Sequence, residues 1–357
     1  MLCLLSLVAS LLERQLADMS ALRASIGTLA VLGLRDLRMA ERPTTAYLMV
    51  GGRCASDCSY CGQGRSACGD GRHLSRIVWP DVSQDELIEA LSAHPGSFSR
   101  VCFQTTTSRG VVRDLVSLVP RVRAALDVPV SVSYRVRGLE EARRLFAAGV
   151  ERIGVAIDVC SARLYPQLRG GTLEEAVAQV KELARHFPGR ISTHIIIGLG
   201  ESEKEAAELI MELHEAGILV SLFAFTPVRG TGMEASSPPE MLSYRKMQAL
   251  VGLLDAGERP LELTYDAENR LCGFGVTADT LRRTLDEQPV FLTHGCPGCN
   301  RPFYNERPGM EPFNFPTMHP VGNRRVVAEF VVGLEAQGFV FGHGQKDSGS
   351  PCPSGEP

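Results

Sequence analysis

The sequence has no excess of charge of one sign: 37 lysines and arginines stand against 41 aspartates and glutamates, a formal net charge of −4. That balance argues against the dense basic surface needed to hold a phosphate backbone, so nucleic acid is not an expected partner. Of the residues, 44% are hydrophobic and 22% charged, the mixture of a packed globular chain rather than of a disordered one. Long apolar runs are missing as well. After Leu12 nothing approaches the roughly 18 apolar residues of a membrane span, and no membrane partner is expected. The opening run from Met1 to Leu12 has no basic flank and leads straight into Glu13-Arg14. That is the pattern of an amphipathic helix rather than of an export signal. Met19 is an alternative start.

An even cysteine count is also absent. Eleven cysteines, several at C-x2-C or C-x3-C spacing, argue against a disulfide framework and for thiolate ligation in a reducing cytoplasm. The isolated Cys3, Cys68, Cys102, Cys160 and Cys352 read as small packed or exposed side chains rather than as ligands. No internal sequence repeat is visible.

A chain of 357 residues suits one α/β barrel with terminal extensions. From Ala46 onward, short β-branched runs alternate with helical patterns, the rhythm of repeated βα units. Strands are predicted at 46–51, 100–105, 128–133, 152–158, 191–197 and 219–225, and helices at 84–94, 111–125, 138–149, 172–187 and 202–217. Right-handed crossovers curl such a series into a partial (β/α)6 TIM-like barrel with reactive groups at the carboxyl ends of its strands. After Phe225, Pro227, Gly230, Gly232 and Pro238-Pro239 break the rhythm before a helix near 242–255. The expected organisation is an N-terminal helical extension over 1–44, the barrel over 45–226, a cysteine-containing C-terminal extension over 227–341, and a disordered tail over 342–357.

Directly after the first predicted strand comes Gly51-Gly52-Arg53-Cys54-Ala55-Ser56-Asp57-Cys58-Ser59-Tyr60-Cys61. Thiolates favour zinc or iron–sulfur clusters over hard cations, and a structural zinc takes four ligands. Three thiolates on a 4Fe–4S cluster leave one iron open to a substrate. The C-x3-C-x2-C spacing, with Tyr60 before the last cysteine, resembles the signature of the radical S-adenosylmethionine superfamily, and its place after the first barrel strand is the context that signature requires. The resemblance implies a 4Fe–4S cluster on Cys54, Cys58 and Cys61, and S-adenosylmethionine bound through its amino and carboxylate groups to the open iron. A zinc loop that recruits Cys68 as a fourth ligand is the competing reading.

The same resemblance suggests where that cofactor lies, with Tyr60 beside the cluster. Gln104-Thr105-Thr106-Thr107-Ser108 replaces the usual Gly-Gly-Glu for the methionine amino group; Gln104 and Thr106 offer acceptors, while a capped turn before the helix at 111 explains the segment equally. Ser131 and Ser133 end the third strand. Asp158 matches the position expected to contact the ribose, and Arg169 a basic position aimed at the methionine carboxylate or, equally, one more solvated charge. His194-Ile195-Ile196-Ile197-Gly198-Leu199-Gly200-Glu201 is similar to the family's adenine segment, with His194 in place of its first glycine. Ile196 is expected against adenine, Gly198 to allow close approach, and Phe225 to close the cavity, although core packing explains the aromatic residues too.

A second metal-like segment runs from His294-Gly295-Cys296-Pro297-Gly298-Cys299 to Gly309. Two thiols are too few for a site; Cys272 is the nearest spare, and a zinc knuckle is the alternative. With Cys58 to Arg65, Leu74 to Pro80 and Leu222 to Pro227, this segment resembles the biotin-synthase-related proteins, among them the two-component lipoyl synthases of archaea and some bacteria. That likeness implies insertion of sulfur into an octanoyl chain on a carrier-protein lysine. The implied auxiliary iron–sulfur cluster would sit on Cys296, Cys299 and Cys272 across an open apolar channel from the first. The implied partners are a lipoyl carrier domain, a second synthase component, and a reductant such as ferredoxin or flavodoxin. Sulfur insertion into a free small molecule, a radical enzyme with a structural zinc, and a non-catalytic iron–sulfur scaffold or electron carrier are the competing readings. The first of these needs cysteines on inner strands, where Cys102 is a candidate without visible partners.

Overall fold

Six parallel strands form because each is a short aliphatic or β-branched run whose crossover helix buries one face against it. The computed structural model describes residues 22–306 and 309–342. The predicted apolar start and all of the predicted tail after Gly342 lie outside them.

In chain order the elements begin with β1 (Leu22–Ala24), α1 (Ile26–Val31) and β2 (Thr45–Val50), followed by a small hairpin of β3 (His73–Leu74) and β4 (Ile77–Val78). The barrel continues with α2 (Gln84–Ala93), β5 (Arg100–Thr105), α3 (Val111–Ala125), β6 (Val130–Ser133), α4 (Leu139–Ala147), β7 (Arg152–Gly154), α5 (Tyr165–Leu168), α6 (Leu173–His186), β8 (Ile191–Ile197), α7 (Glu203–Glu215) and β9 (Leu219–Ala224). Beyond it come α8 (Met241–Asp255), a hairpin of β10 (Thr264–Tyr265) and β11 (Leu271–Gly273), α9 (Ala278–Glu287) and α10 (Pro320–Ala336). The main sheet has seven strands in the order β1-β2-β5-β6-β7-β8-β9. Every pair from β2 to β9 is parallel. This is the expected partial α/β barrel, open between β9 and β1. No described helix is long and apolar enough to cross a membrane.

Local chemistry sets the helix starts. Ser83, Thr172 and Thr277 each accept from a backbone N–H in the first turn of α2, α6 and α9. Ser202 and Glu205 close a reciprocal capping box on α7. Three expectations need correction. The described part of 1–44 is not purely helical: β1 adds an antiparallel strand along β2, pairing Leu22 with Val50 and Ala24 with Leu48, which satisfies the sheet edge. The strand predicted over 152–158 ends at Gly154. Asp158 then touches β8 through a single bridge to Ile195, at a left-handed φ of 63°. In the C-terminal extension, α9, α10 and the β10–β11 hairpin were not foreseen beside the predicted α8.

The core lies between sheet and helices, where Phe103, Leu115, Val130, Ile153 and Ile195 are fully buried. Leu115 is on the buried stripe of α3, a helix that packs against β2. Leu115→Ala should lower the unfolding free energy by about 2–5 kcal/mol through lost burial and a cavity. Urea denaturation should show a lower midpoint at an unchanged slope.

Candidate functional site

At the carboxyl end of β2, Gly51 (φ 113°) turns the chain where a Cβ would stand 2.3 Å from Thr106 Oγ1. The loop that follows is strapped to the end of β5. Ala55 N donates to the Thr107 carbonyl at 2.7 Å, Thr106 Oγ1 to the Gly52 carbonyl at 2.9 Å, and Thr107 N to Cys54 Sγ at 3.3 Å. Cys61 N closes a turn on the Cys58 carbonyl at 3.0 Å. Cys54, Cys58 and Cys61 thereby line one cavity of about 240 Å³ together with Tyr60, Gln104, Thr106, Ser133, Asp158, Arg169, Ile196 and Phe225. Burial pushes the Cys61 thiol up to about 12 and raises that of Cys58. At neutral pH those two are uncharged donors that a soft cation would convert to thiolates.

Opposite the thiols, Tyr60 donates to Asp158 Oδ2 at 2.7 Å, and Arg169 Nη1 contacts that same oxygen and donates to the Tyr60 hydroxyl at 2.8 Å. The left-handed backbone of Asp158, a conformation that aspartate tolerates better than most residues, aims its carboxylate inward. Arg169 Nε is buried without a partner. The donor set fits a cluster and a polar ligand: three soft thiols on one wall, a carboxylate and a guanidinium with an unused N–H on the other. Cys68 is exposed, turns to the Ser66 carbonyl at 3.4 Å, and does not line the cavity, so the zinc-loop reading loses its fourth ligand.

The second cysteine pair lies at the opposite end of the barrel. Residues 293–301 plug the amino-terminal mouth, where the strands begin. Asn300, 6% exposed, accepts from Thr44 N at 3.0 Å and donates to the Arg42 carbonyl at 2.9 Å. Thr44 Oγ1 and Arg100 Nε donate to the Gly298 and Pro297 carbonyls at 2.5 and 3.2 Å. His294 Nδ1 donates to the Val220 carbonyl at 2.7 Å. Gly298, at φ 78°, lets the loop lie where a Cβ would stand 2.9 Å from Ser99 Oγ. Cys296 and Cys299 thus enter the barrel and line a cavity with Cys102, the third residue of β5. Ser131 Oγ lies 3.4 Å from Cys296 Sγ, and Tyr47 OH 3.3 Å from Cys299 Sγ. Tyr47, Cys102 and Ser131 are side-by-side partners on adjacent strands.

Gln104, His194, Phe223 and Tyr304 line both cavities and form the layer between them. Phe223 packs edge-on to His194 at 5.2 Å and to Tyr304 at 5.4 Å, with the Arg301 guanidinium 3.9 Å from its centroid. Burial, with Arg301 and Arg169 nearby, pushes His194 down to about 4, so the ring is neutral at physiological pH.

Several expected residues stand elsewhere. Ser131 belongs to the lower thiols, because it sits two residues, about 6.6 Å at the usual strand rise, below Ser133. Gly198 does not line the upper cavity; its missing side chain accommodates Pro239, whose Cδ would lie 2.7 Å from a Cβ. Thr106 lines that cavity but commits its hydroxyl to the Gly52 carbonyl. Cys272 does not join Cys296 and Cys299. It stands on β11, with Sγ 3.5 Å from the Arg270 carbonyl, and the neighbouring Leu271 N donates to Glu203 at the start of α7, at the carboxyl end of the barrel. Tyr304 and Asn305 were missed as lining residues of the upper cavity. Tertiary return of the C-terminal segment brings them there, with Asn305 Nδ2 donating to the Ala224 carbonyl at 2.6 Å.

A parallel α/β partial barrel with a cysteine loop after its first parallel strand and a polar cavity at its carboxyl ends defines a class of cofactor-binding barrel. Residues 48–213, a little under half of the chain, match the model of the Radical SAM superfamily, and over that stretch the chain is similar to its members. The superfamily implies a 4Fe–4S cluster and S-adenosylmethionine. The biotin synthase of Pelotomaculum thermopropionicum is 26% identical over 209 residues, covering 56% of this chain and 63% of that protein. That of Halorhodospira halophila is 30% identical over 195 residues, covering 52% and 57%. The chain therefore spans less than two thirds of the length of these relatives. Among solved structures, methylornithine synthase PylB gives a TM-score of 0.45 at 18% identity over 56% of this chain and 60% of that one. The FeFe-hydrogenase maturase HydG from Carboxydothermus hydrogenoformans gives 0.46 at 16% over 59% and 51%. Likenesses this low carry nothing about the reaction.

Asn300→Ala would leave Thr44 N and the Arg42 carbonyl without their partner in the plug. The expected cost is about 1–3 kcal/mol, read as faster amide exchange over 293–301 than in the barrel strands.

Proposed function

We propose that the chain is a radical S-adenosylmethionine sulfur insertase working in the reducing cytoplasm, a lipoyl-synthase-like component that acts on an octanoyl chain carried by a protein lysine. The observation that carries the sulfur-insertion reading is two thiol groups at opposite ends of one barrel with a shared layer between their cavities. Cys54, Cys58 and Cys61 would hold the first cluster, with Tyr60, Gln104, Ser133, Asp158, Arg169, Ile196 and Phe225 around S-adenosylmethionine. When bound, this pair supplies a 5′-deoxyadenosyl radical able to take hydrogen from an unactivated C–H bond.

The protein's own share is positioning and exclusion. Asp158 can exchange its internal Arg169 partner for ribose hydroxyls, freeing the guanidinium for the methionine carboxylate. His194, Phe223 and Tyr304 place mostly apolar ring surface where a substrate carbon would face both sites, and they keep water from the radical. Over one insertion a C–H bond is exchanged for a C–S bond. The hydrogen leaves in 5′-deoxyadenosine and methionine is the other product. One electron enters from a ferredoxin or flavodoxin and one remains with the sulfur donor.

The octanoyl substrate, the lipoyl carrier domain and the second synthase component follow from the likeness of Cys296 to Gly309 to that group. A second reading, sulfur insertion into a free small molecule, is favoured by the biotin synthases among the relatives and by Cys102 on an inner strand.

Anaerobic incubation with dithionite and S-adenosylmethionine should yield 5′-deoxyadenosine, and the Cys54→Ala variant should yield none. Equal yields would remove the radical reading. With an octanoylated carrier domain and the second component present, mass spectrometry should find sulfur added to the acyl chain. An unmodified carrier beside a thiolated free substrate would shift the assignment to the second reading.

A further inference from the structure

Between its two cavities the barrel narrows, and the narrowing is one-sided. The inward residues that β6 and β7 bring to this level are Ser133 and Gly154, side by side in the sheet and almost without bulk. From the other side come rings: His194 on β8, Phe223 on β9 and Tyr304 on the returning C-terminal segment. The edge of the imidazole reaches across to β7, where a Cβ on Gly154 would stand 3.5 Å from its Cε1 and 3.6 Å from its Nε2. Phe223 is held in place, with His194 and Tyr304 packed edge-on to it and the Arg301 guanidinium against its face. Arg301 is itself tied to the His294 carbonyl at 2.7 Å. A neutral imidazole, as burial and the nearby cations require, sits in this stack without a counter-ion. The spaces on either side are unequal, about 240 Å³ above the layer and about 50 Å³ below it. Each water-sized guest needs roughly 10–15 Å³, so the lower space takes a few carbon atoms and not a substituted ring.

We propose that His194 sets the width of this waist and thereby selects the substrate: the end of an unbranched saturated chain passes between the cavities, whereas a ring or a branched carbon is stopped above the layer. The proposal rests on the sulfur-insertion reading, in which the reacting carbon must face both groups of thiols. It separates an acyl chain from a compact free molecule by shape. Shape discriminates here because packed interiors yield little, and a guest wider than the gap has to displace rings already in contact. His194→Gly would leave the neighbouring strands β7 and β8 both without a side chain at this level, so one substitution widens the passage.

The test compares two carrier domains under anaerobic turnover, one bearing octanoyl-lysine and the other cyclohexylbutanoyl-lysine. The wild-type protein should add sulfur to the first about tenfold or more faster than to the second, the scale on which a hydrophobic pocket discriminates by bulk. His194→Gly should bring the two rates close to parity. His194→Leu, which keeps the bulk without the ring nitrogens, should keep the preference, with thermal melting confirming that both variants are folded. A second readout uses neither cluster nor S-adenosylmethionine. Cys102, which lines the cavity below the layer, is labelled in the unreconstituted chain with butyl or cyclohexyl methanethiosulfonate, and the adduct is counted by peptide mass spectrometry. The wild type should favour the butyl reagent, and His194→Gly should lose that preference. The proposal is overturned if the wild type labels alike with both reagents, if the preference survives His194→Gly, or if His194→Leu abolishes it. If labelling behaves as expected but no acyl chain gains sulfur, the waist stands and the acyl-carrier reading falls.

Discussion

The alternation of side chains along parallel strands is the constraint from which both ends of the barrel follow. Successive residues of a strand point to opposite faces, so Cys102 and Gln104 on β5 point inward, as do Ser192, His194 and Ile196 on β8, and Ser221 and Phe223 on β9. Each step of two residues moves one level along the barrel. At the lowest level the inward residues are small or polar, which leaves room beneath the aromatic layer. Above it, the strand ends and their loops bring together thiols, a carboxylate and a guanidinium.

An open sheet with a polar lower interior cannot be left to solvent, and the C-terminal segment supplies the cover. Its closure is held by backbone-directed bonds from Thr44, Arg100, His294 and Asn300 rather than by apolar burial. Such bonds fix a loop's position more narrowly than a greasy contact does, because each depends on distance and direction. The result is that Cys296 and Cys299 are set against strand residues 165 and 252 positions earlier in the chain. Tyr304 and Asn305, a few residues further along, continue up the interior and finish the wall of the carboxyl-end cavity.

Much of this was legible beforehand. The six parallel strands and five of the crossover helices were placed within a few residues, because hydrophobic periodicity is a local signal. The cysteine loop was legible for the same reason, since its spacing lies within one short segment. What local signals could not reach were pairings across the chain. Cys102 looked like a spare thiol and Cys272 like a ligand, because proximity in sequence is a poor guide to proximity across a barrel. Ser131 and Ser133 looked equivalent, although one pleat repeat separates a residue that lines the upper cavity from a neighbour of Cys296.

The sequence by itself determined the kind of chemistry: soft thiolates in a C-x3-C-x2-C loop after a strand, on a chain with the rhythm of a parallel barrel. Only the tertiary structure decided which thiols stand together. Strand alternation settles which face a side chain takes, but the partner that meets it there is chosen by a returning loop. That loop is anchored by bonds between residues as far apart as Arg42 and Asn300.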